Sequence, residues 1–102
     1  MFIQRVVFHA AQGKAQELRA LLEERAKLAH SQGRAAALTV QVFGAGGSFV
    51  LALRYNTLAE FEERRSSLPS DSGFQTWAAK VAGVTRQPAE SELLEVLIPF
   101  PS

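Results

Sequence analysis

The stretch "VQVFGAGGSFVLALRY", residues 40 to 55, decides the fold. Gly44, Gly46 and Gly47 interrupt two runs of large apolar side chains, so the stretch is either a phosphate-cradling loop or a turn. A phosphate loop opens onto a helix, whose first N–H groups and dipole favour an anion. The residues after the glycines, "SFVLALRY", have the β-branched and aromatic content of a strand, and the Lys and Ser/Thr of a P-loop are missing. The reading is therefore a β-hairpin of strands 36–43 and 48–55. Setting Val42 against Phe49 and Gly44 against Gly47 leaves Ala45 and Gly46 as a two-residue turn, where glycine accepts a positive φ. In that register Val40 faces Leu51, and Gln41 faces Val50.

Upstream of the hairpin, "FIQRVVFH" (2–9) reads as a strand. Between Lys14 and Ser31 the period changes: Ala15, Leu18, Leu22, Ala26 and Ala29 recur at three- and four-residue steps, and Gly33 comes after them as a stop. Downstream, "NTLAEFEERR" opens a second helical region with Thr57 and Glu60 spaced as a capping box. Pro69 interrupts it, and "SDSGFQTWAAKVAG" resumes it with Ser70 or Asp71 as cap. After the loop "VTRQPAES", residues 92–100 ("ELLEVLIPF") make the last strand. The order is β-α-β-β-α-β, one α+β domain over residues 1–102 with the strands arranged 4-1-3-2 and both helical regions on one sheet face, a ferredoxin-like split sheet.

Alternation within the strands assigns the faces. Val6, Phe8, Leu38, Val40, Val42, Phe49, Leu51, Leu53, Leu94, Val96 and Ile98 belong under the helices. The opposite face takes Ile3, Arg5, Val7, His9, Thr39, Gln41, Phe43, Val50, Ala52, Arg54, Leu93, Glu95 and Leu97, and more than half of it is apolar. A patch of that size is larger than a monomer tolerates in water. With no third layer in the chain, a second copy packed face to face is the expected cover, and the chain is expected to be a homodimer.

The totals limit the functions on offer. Hydrophobic residues make up 47% and charged residues 21%, ordinary values for a folded domain, and the formal net charge of +1 calls for no polyanionic partner. Basic residues are scattered among acidic ones, so no nucleic-acid stripe is expected. The absence of cysteine excludes disulfides and thiolate chemistry. With two distant histidines and no acidic loop of ligand spacing, no metal site is expected. No apolar run reaches the ~20 residues of a membrane span and the start does not read as a secretion signal, so a cytoplasmic protein with no membrane partner is expected.

The second half, "RYNTLAEFEERRSSLPSDSGFQTWAAKV" (54–81), resembles the strand-to-helix stretch of NIPSNAP-like proteins, where a basic-aromatic strand end precedes a short helix, an Asp, and a helix bearing Phe and Trp. The first half, "FIQRVVFHAAQGKAQELRALLEE", is similar to the strand, small residue, Gly-Lys and acidic helix that open such proteins. The resemblance implies the dimeric α/β-barrel superfamily, in which two ferredoxin-like subunits close their sheets into one barrel. That superfamily includes cofactor-free monooxygenases, haem-degrading enzymes and members without assigned activity. Haem-degrading relatives pair a Trp with particular Asn and His residues; no His matches the helix bearing Trp77, so no cofactor is expected.

Among polar residues, Arg5 is expected beside Arg54 and Glu95, with Gln41 one strand further out. Two guanidinium groups beside one carboxylate fit either a carboxylate or phenolate ligand or an ion-pair cluster that sets the dimer register. His9 fits a weak general base or a strand-end cap. Tyr55 and Trp77 line a cleft for an aromatic ligand, or serve the core with the indole N–H on a carbonyl. Two functions fit these residues: a NIPSNAP-like small-molecule-binding or scaffold module, and a cofactor-free monooxygenase-like enzyme acting on a small aromatic or polyketide-type compound.

Overall fold

The computed structural model of the chain describes residues 1–44 and 46–101. Strands β1 (Phe2–His9), β2 (Ala36–Val40), β3 (Ser48–Tyr55) and β4 (Glu90–Glu95) form one antiparallel sheet in the order β2-β3-β1-β4, the split-sheet order that the element pattern predicts. Helices α1 (Ala15–Ser31), α2 (Leu58–Ser67) and α3 (Ser72–Ala82) complete the fold, with a single 3-10 turn at Leu68–Ser70.

Helix α1 forms where the apolar stripe predicts it. Leu18 and Leu22 are fully buried, and Ala26 and Ala29 lie beside them. The helix ends because Gly33 takes φ +73°: its N–H reaches the His30 carbonyl at 3.0 Å and the next N–H, of Arg34, reaches Ala29 at 2.9 Å, satisfying two of the last carbonyls. At the start of α2, Thr57 Oγ1 accepts from the Glu60 N–H at 3.2 Å, while Glu60 Oε2 accepts from Asn56 N–H at 3.0 Å. Pro69 sits in the 3-10 turn and Asp71 caps α3, its Oδ1 accepting from Phe74 N–H at 3.0 Å. A break with a fresh cap directly after it turns α3 back onto the sheet. There Val81 and Val84 join Phe8, Phe49, Leu51 and the α1 leucines in the core. Among the described residues no helix is long and apolar enough to cross a membrane.

Two registers differ from expectation. In the hairpin, Val40 pairs with Phe49 and Leu38 with Leu51, a slip of two residues, so β2 ends at Val40 and Val42 and Phe43 stand exposed. Because side chains alternate with period two, an even slip leaves each strand residue on its expected face. Gln41 leaves the strand and folds over the loop, where its Oε1 accepts from Gly46 N–H at 2.8 Å. With the Gln41 N–H on the Ser48 carbonyl at 3.0 Å, the connection between the strands is longer than the expected two-residue turn of Ala45 and Gly46; Ala45 itself lies outside the described residues.

In β4 the slip is odd, and it reverses the faces. The strand starts at Glu90, and its pairing with β1 sets Glu92 against Arg5, Leu93 against Gln4, Leu94 against Ile3 and Glu95 against Phe2. Leu93 and Glu95 therefore share the helix-covered side with Gln4, whereas Leu94 is on the open side. Val96 and Ile98 lie beyond the strand. An ion pair and a histidine–carboxylate contact accompany this phase on the open face: Arg5 Nη1 donates to Glu92 Oε1 at 2.6 Å, and His9 Nε2 lies 3.2 Å from Glu90 Oε1.

Candidate functional site

Between the covered sheet face and the helices the core is incomplete. Phe8, Phe49 and Leu51 pack against α1 on the β3 side, but toward β4 the sheet is roofed by α3 and the loop after it. A cavity of about 610 Å³ remains, within the range of small-molecule sites. Val6, Phe8, Leu51 and Leu53 make its floor, and Phe61, Leu68, Phe74 and Trp77 make its wall from α2, the 3-10 turn and α3.

Trp77 is doubly engaged. Its indole N–H donates to the Leu21 carbonyl of α1 at 2.9 Å, tying α3 to α1, while the ring meets Phe8 edge-on at 6.3 Å and Phe74 at 5.7 Å. Tyr55 is buried at the end of β3; its hydroxyl donates to Gln4 Oε1 at 3.3 Å and its ring meets Phe61 edge-on at 5.5 Å. Both aromatic residues line the cavity.

Charge on the lining is one-sided. Arg25, Arg34, Arg64, Arg65 and Arg86 contribute to it, and no aspartate or glutamate does. Among the described residues only Arg65 of these five has an ion pair, a loose contact at 3.8 Å to Glu62. Arg25 stands over the aromatic wall, its guanidinium carbon 5.1 Å from the Phe74 ring centre and 5.3 Å from that of Trp77. Arg34 is held by Gln32 Oε1 through Nε at 3.1 Å and Nη2 at 2.8 Å. Partial burial, then repulsion from Arg64, lowers the pKa of both Arg25 and Arg34. Burial raises the Tyr55 pKa, although Arg34 and Arg64 pull it downward.

The residues singled out in the sequence divide between two faces. Tyr55 and Trp77 belong to the cavity, where Gln4, which no sequence feature marked, joins them. Arg5, His9 and Arg54 are on the open face. Arg5 lies opposite Ala52, and Arg54 opposite Ile3, so the two arginines are diagonal neighbours rather than adjacent. Arg5 meets Glu92 in place of Glu95, because of the odd slip in β4. Gln41 is at the loop end of the β2–β3 hairpin while Arg54 N–H bonds Ala35 O at the other end, so the two do not meet. His9 lies between Ser48 Oγ, 3.0 Å from Nδ1, and Glu90, on the side away from the cavity. His30 Nε2 sits 2.7 Å from the Ala36 carbonyl, and neither histidine reaches the cavity. Among the described residues no group of histidines and carboxylates has the geometry of a metal site.

Sequence reasoning missed Arg25 and Arg64, although both leave a trace. Arg25 continues the stripe Leu18–Leu22–Ala29, and Arg64 stands between Phe61 and Leu68 at the same spacing. An arginine on the buried stripe of a helix has to meet something other than solvent. Arg34, just past the helix-ending glycine, carries no such periodic signal.

Compared by sequence, the chain matches no protein-family model and no curated protein. Compared by structure, it is similar over its whole length to an uncharacterized NIPSNAP domain protein from Burkholderia xenovorans, with a TM-score of 0.81 at 17% identity and 100% of each chain covered. A NIPSNAP family protein from Agrobacterium tumefaciens aligns with a TM-score of 0.78 at 20% identity over 98% of each chain. A candidate antibiotic biosynthesis monooxygenase from Deinococcus radiodurans aligns with a TM-score of 0.77 at 14% identity, over 100% of this chain and 98% of that one. These likenesses show a shared fold, the ferredoxin-like split sheet with its helices on one face.

Proposed function

We propose that this chain, acting as one domain over residues 1–102, is a small-molecule-binding module that holds an aromatic-sized apolar compound between its sheet and helices. The observation that carries this reading is the cavity of about 610 Å³, whose floor and wall are aliphatic and aromatic. A folded core closes such a space unless its shape has another use, since protein interiors are close-packed. Trp77 is the only tryptophan and stands in the cavity wall, so its fluorescence is a direct reporter. Titration with 2-naphthamide, with crystals soaked in parallel, should shift Trp77 emission and place density between Phe8, Leu53 and Trp77; a silent titration and an unchanged cavity would refute the reading.

The module is a homodimer in this proposal, residing in the cytoplasm. Its support is the open sheet face, where Ile3, Val7, Val50, Ala52 and Leu94 form an apolar field that no helix of the chain covers. Arg5, Glu92 and Arg54 punctuate that field with charge suited to fixing one register between two copies.

A second reading, a cofactor-free monooxygenase acting on a phenolic polyketide-type compound, has its support in the structural neighbours and in the cationic lining, which suits a phenolate. His9 has no part in it, being on the opposite sheet face. Oxygen consumption on mixing the protein with a phenolic polyketide is its test, and binding without oxygen uptake would leave the binding module alone standing.

A further inference from the structure

The cavity's charges are concentrated at one end, and their arrangement specifies more than apolar contact. Tyr55 ends β3 opposite Phe2, at the start of β1. Arg34 is brought to the same end because the Ala35 carbonyl beside it accepts from the Arg54 N–H at 3.0 Å. Arg64 arrives there on α2, which begins at Leu58, shortly after Tyr55. The mutual effects of these groups agree with the topology: Arg34 and Arg64 both act on Tyr55, and Arg64 acts on Arg34. Arg86 is at the other end, its N–H bonded to the His9 carbonyl at 3.0 Å.

Two half-buried cations that repel one another, with no ion pair of their own, cost free energy unless an anion joins them. The protein offers little relief. Asp71 acts on Arg25 and Arg64 from outside the cavity lining, and its Oδ1 is already committed to the Phe74 N–H. Glu24 acts on Arg25 from the solvent side of α1. Arg34 still has N–H groups free, since Gln32 takes only Nε and Nη2. A planar carboxylate offers two charged acceptor oxygens that match the guanidinium fork with parallel hydrogen bonds, where a primary amide offers one neutral oxygen.

Resting on the reading of the cavity as a ligand site, we propose that its ligand is an anionic amphiphile: a carboxylate held between Arg34 and Arg64 beside Tyr55, with an uncharged apolar body extending along Leu53 and Leu51 toward Trp77 and Phe8. The apolar body contacts the sheet floor and the aromatic wall, and Arg25, over the Phe74 and Trp77 rings, closes the side between them. The ligand contributes the counter-charge that the fold lacks, so binding is to weaken with added salt even though most of the contact area is apolar.

Matched pairs of probes test this by isothermal titration calorimetry: 2-naphthoate against 2-naphthamide, and nonanoate against nonanamide. Each acid should bind at least about tenfold more tightly than its own amide at low salt, as a charge-assisted contact implies. That advantage should disappear in the Arg34→Gln/Arg64→Gln variant while amide binding persists, which also shows that the variant is folded. Arg86→Gln should keep the advantage. Equal affinity for acids and amides, or an advantage that survives the double substitution, would overturn the carboxylate site while leaving a cavity that binds apolar compounds. If neither acids nor amides bind, the ligand site and the carboxylate site fall together.

Discussion

Tyr55 is where burial, charge and hydrogen bonding meet in a single side chain. Its hydroxyl donates to Gln4 while Arg34 and Arg64 stand near enough to favour its ionised form, yet burial wins and its pKa is raised. A tyrosine in the unfolded chain ionises near pH 10, so the stabilisation from keeping Tyr55 neutral is complete below that pH and is lost as pH rises through the higher folded value. Urea midpoints of the wild type should therefore fall more steeply above about pH 10 than those of Tyr55→Phe; parallel curves would show no proton linkage at this residue. Leu18 is a simpler case. It is wholly buried under the sheet, and Leu18→Ala should cost 2 to 5 kcal/mol, roughly the range for a leucine cavity, measured by urea unfolding. Arg25 has both characters, a cation by charge and part of an aromatic wall by contact.

Among the elements, the helices end and begin where side chains meet the backbone's spare donors and acceptors. Thr57 satisfies one donor of α2, a helix with no buried residue of its own, so the cap matters more there than in α1. Thr57→Ala should lower stability by about 1 kcal/mol and leave far-UV circular dichroism in native buffer unchanged. The strands show how far a local pattern reaches. In β1 and β3 the alternation is clear enough to assign every side chain to a face. In "ESELLEVLIPF" apolar residues occur at both parities, so period two alone selects no phase, and Leu93 and Leu94 are interchangeable on that criterion. The pairing of Glu90 and Glu92 with His9 and Arg5 across the ladder accompanies the observed phase. The acids at 90 and 92, set against Arg5 and His9 on one face of β1, were a readable signal that hydrophobicity alone obscures.

For the whole molecule, the sheet's open face is the feature that a single chain leaves unresolved. Val50 and Leu94 stand on it, Leu94 with 41% of its surface exposed, and Val50→Lys/Leu94→Lys would place two cations in the proposed contact. Sedimentation should find the wild type at about twice the 11.1 kDa chain mass and the variant at the chain mass; a wild type sedimenting as a single chain would refute the face-to-face dimer. By itself, the sequence determined the order of elements, the cap at Thr57, the choice of Ser70 or Asp71 for the cap of α3, the helical stop at Gly33 and the faces of β1, β2 and β3. Each of these comes from interactions among residues close in the chain, or from a period that survives an even slip. Only the tertiary structure decided the phase of β4, the separation of Arg5 and His9 from Tyr55 and Trp77, and the gathering of Arg34 and Arg64 beside Tyr55. Those depend on how elements far apart in the chain lie against one another, a relation that the periodicity of each segment does not contain.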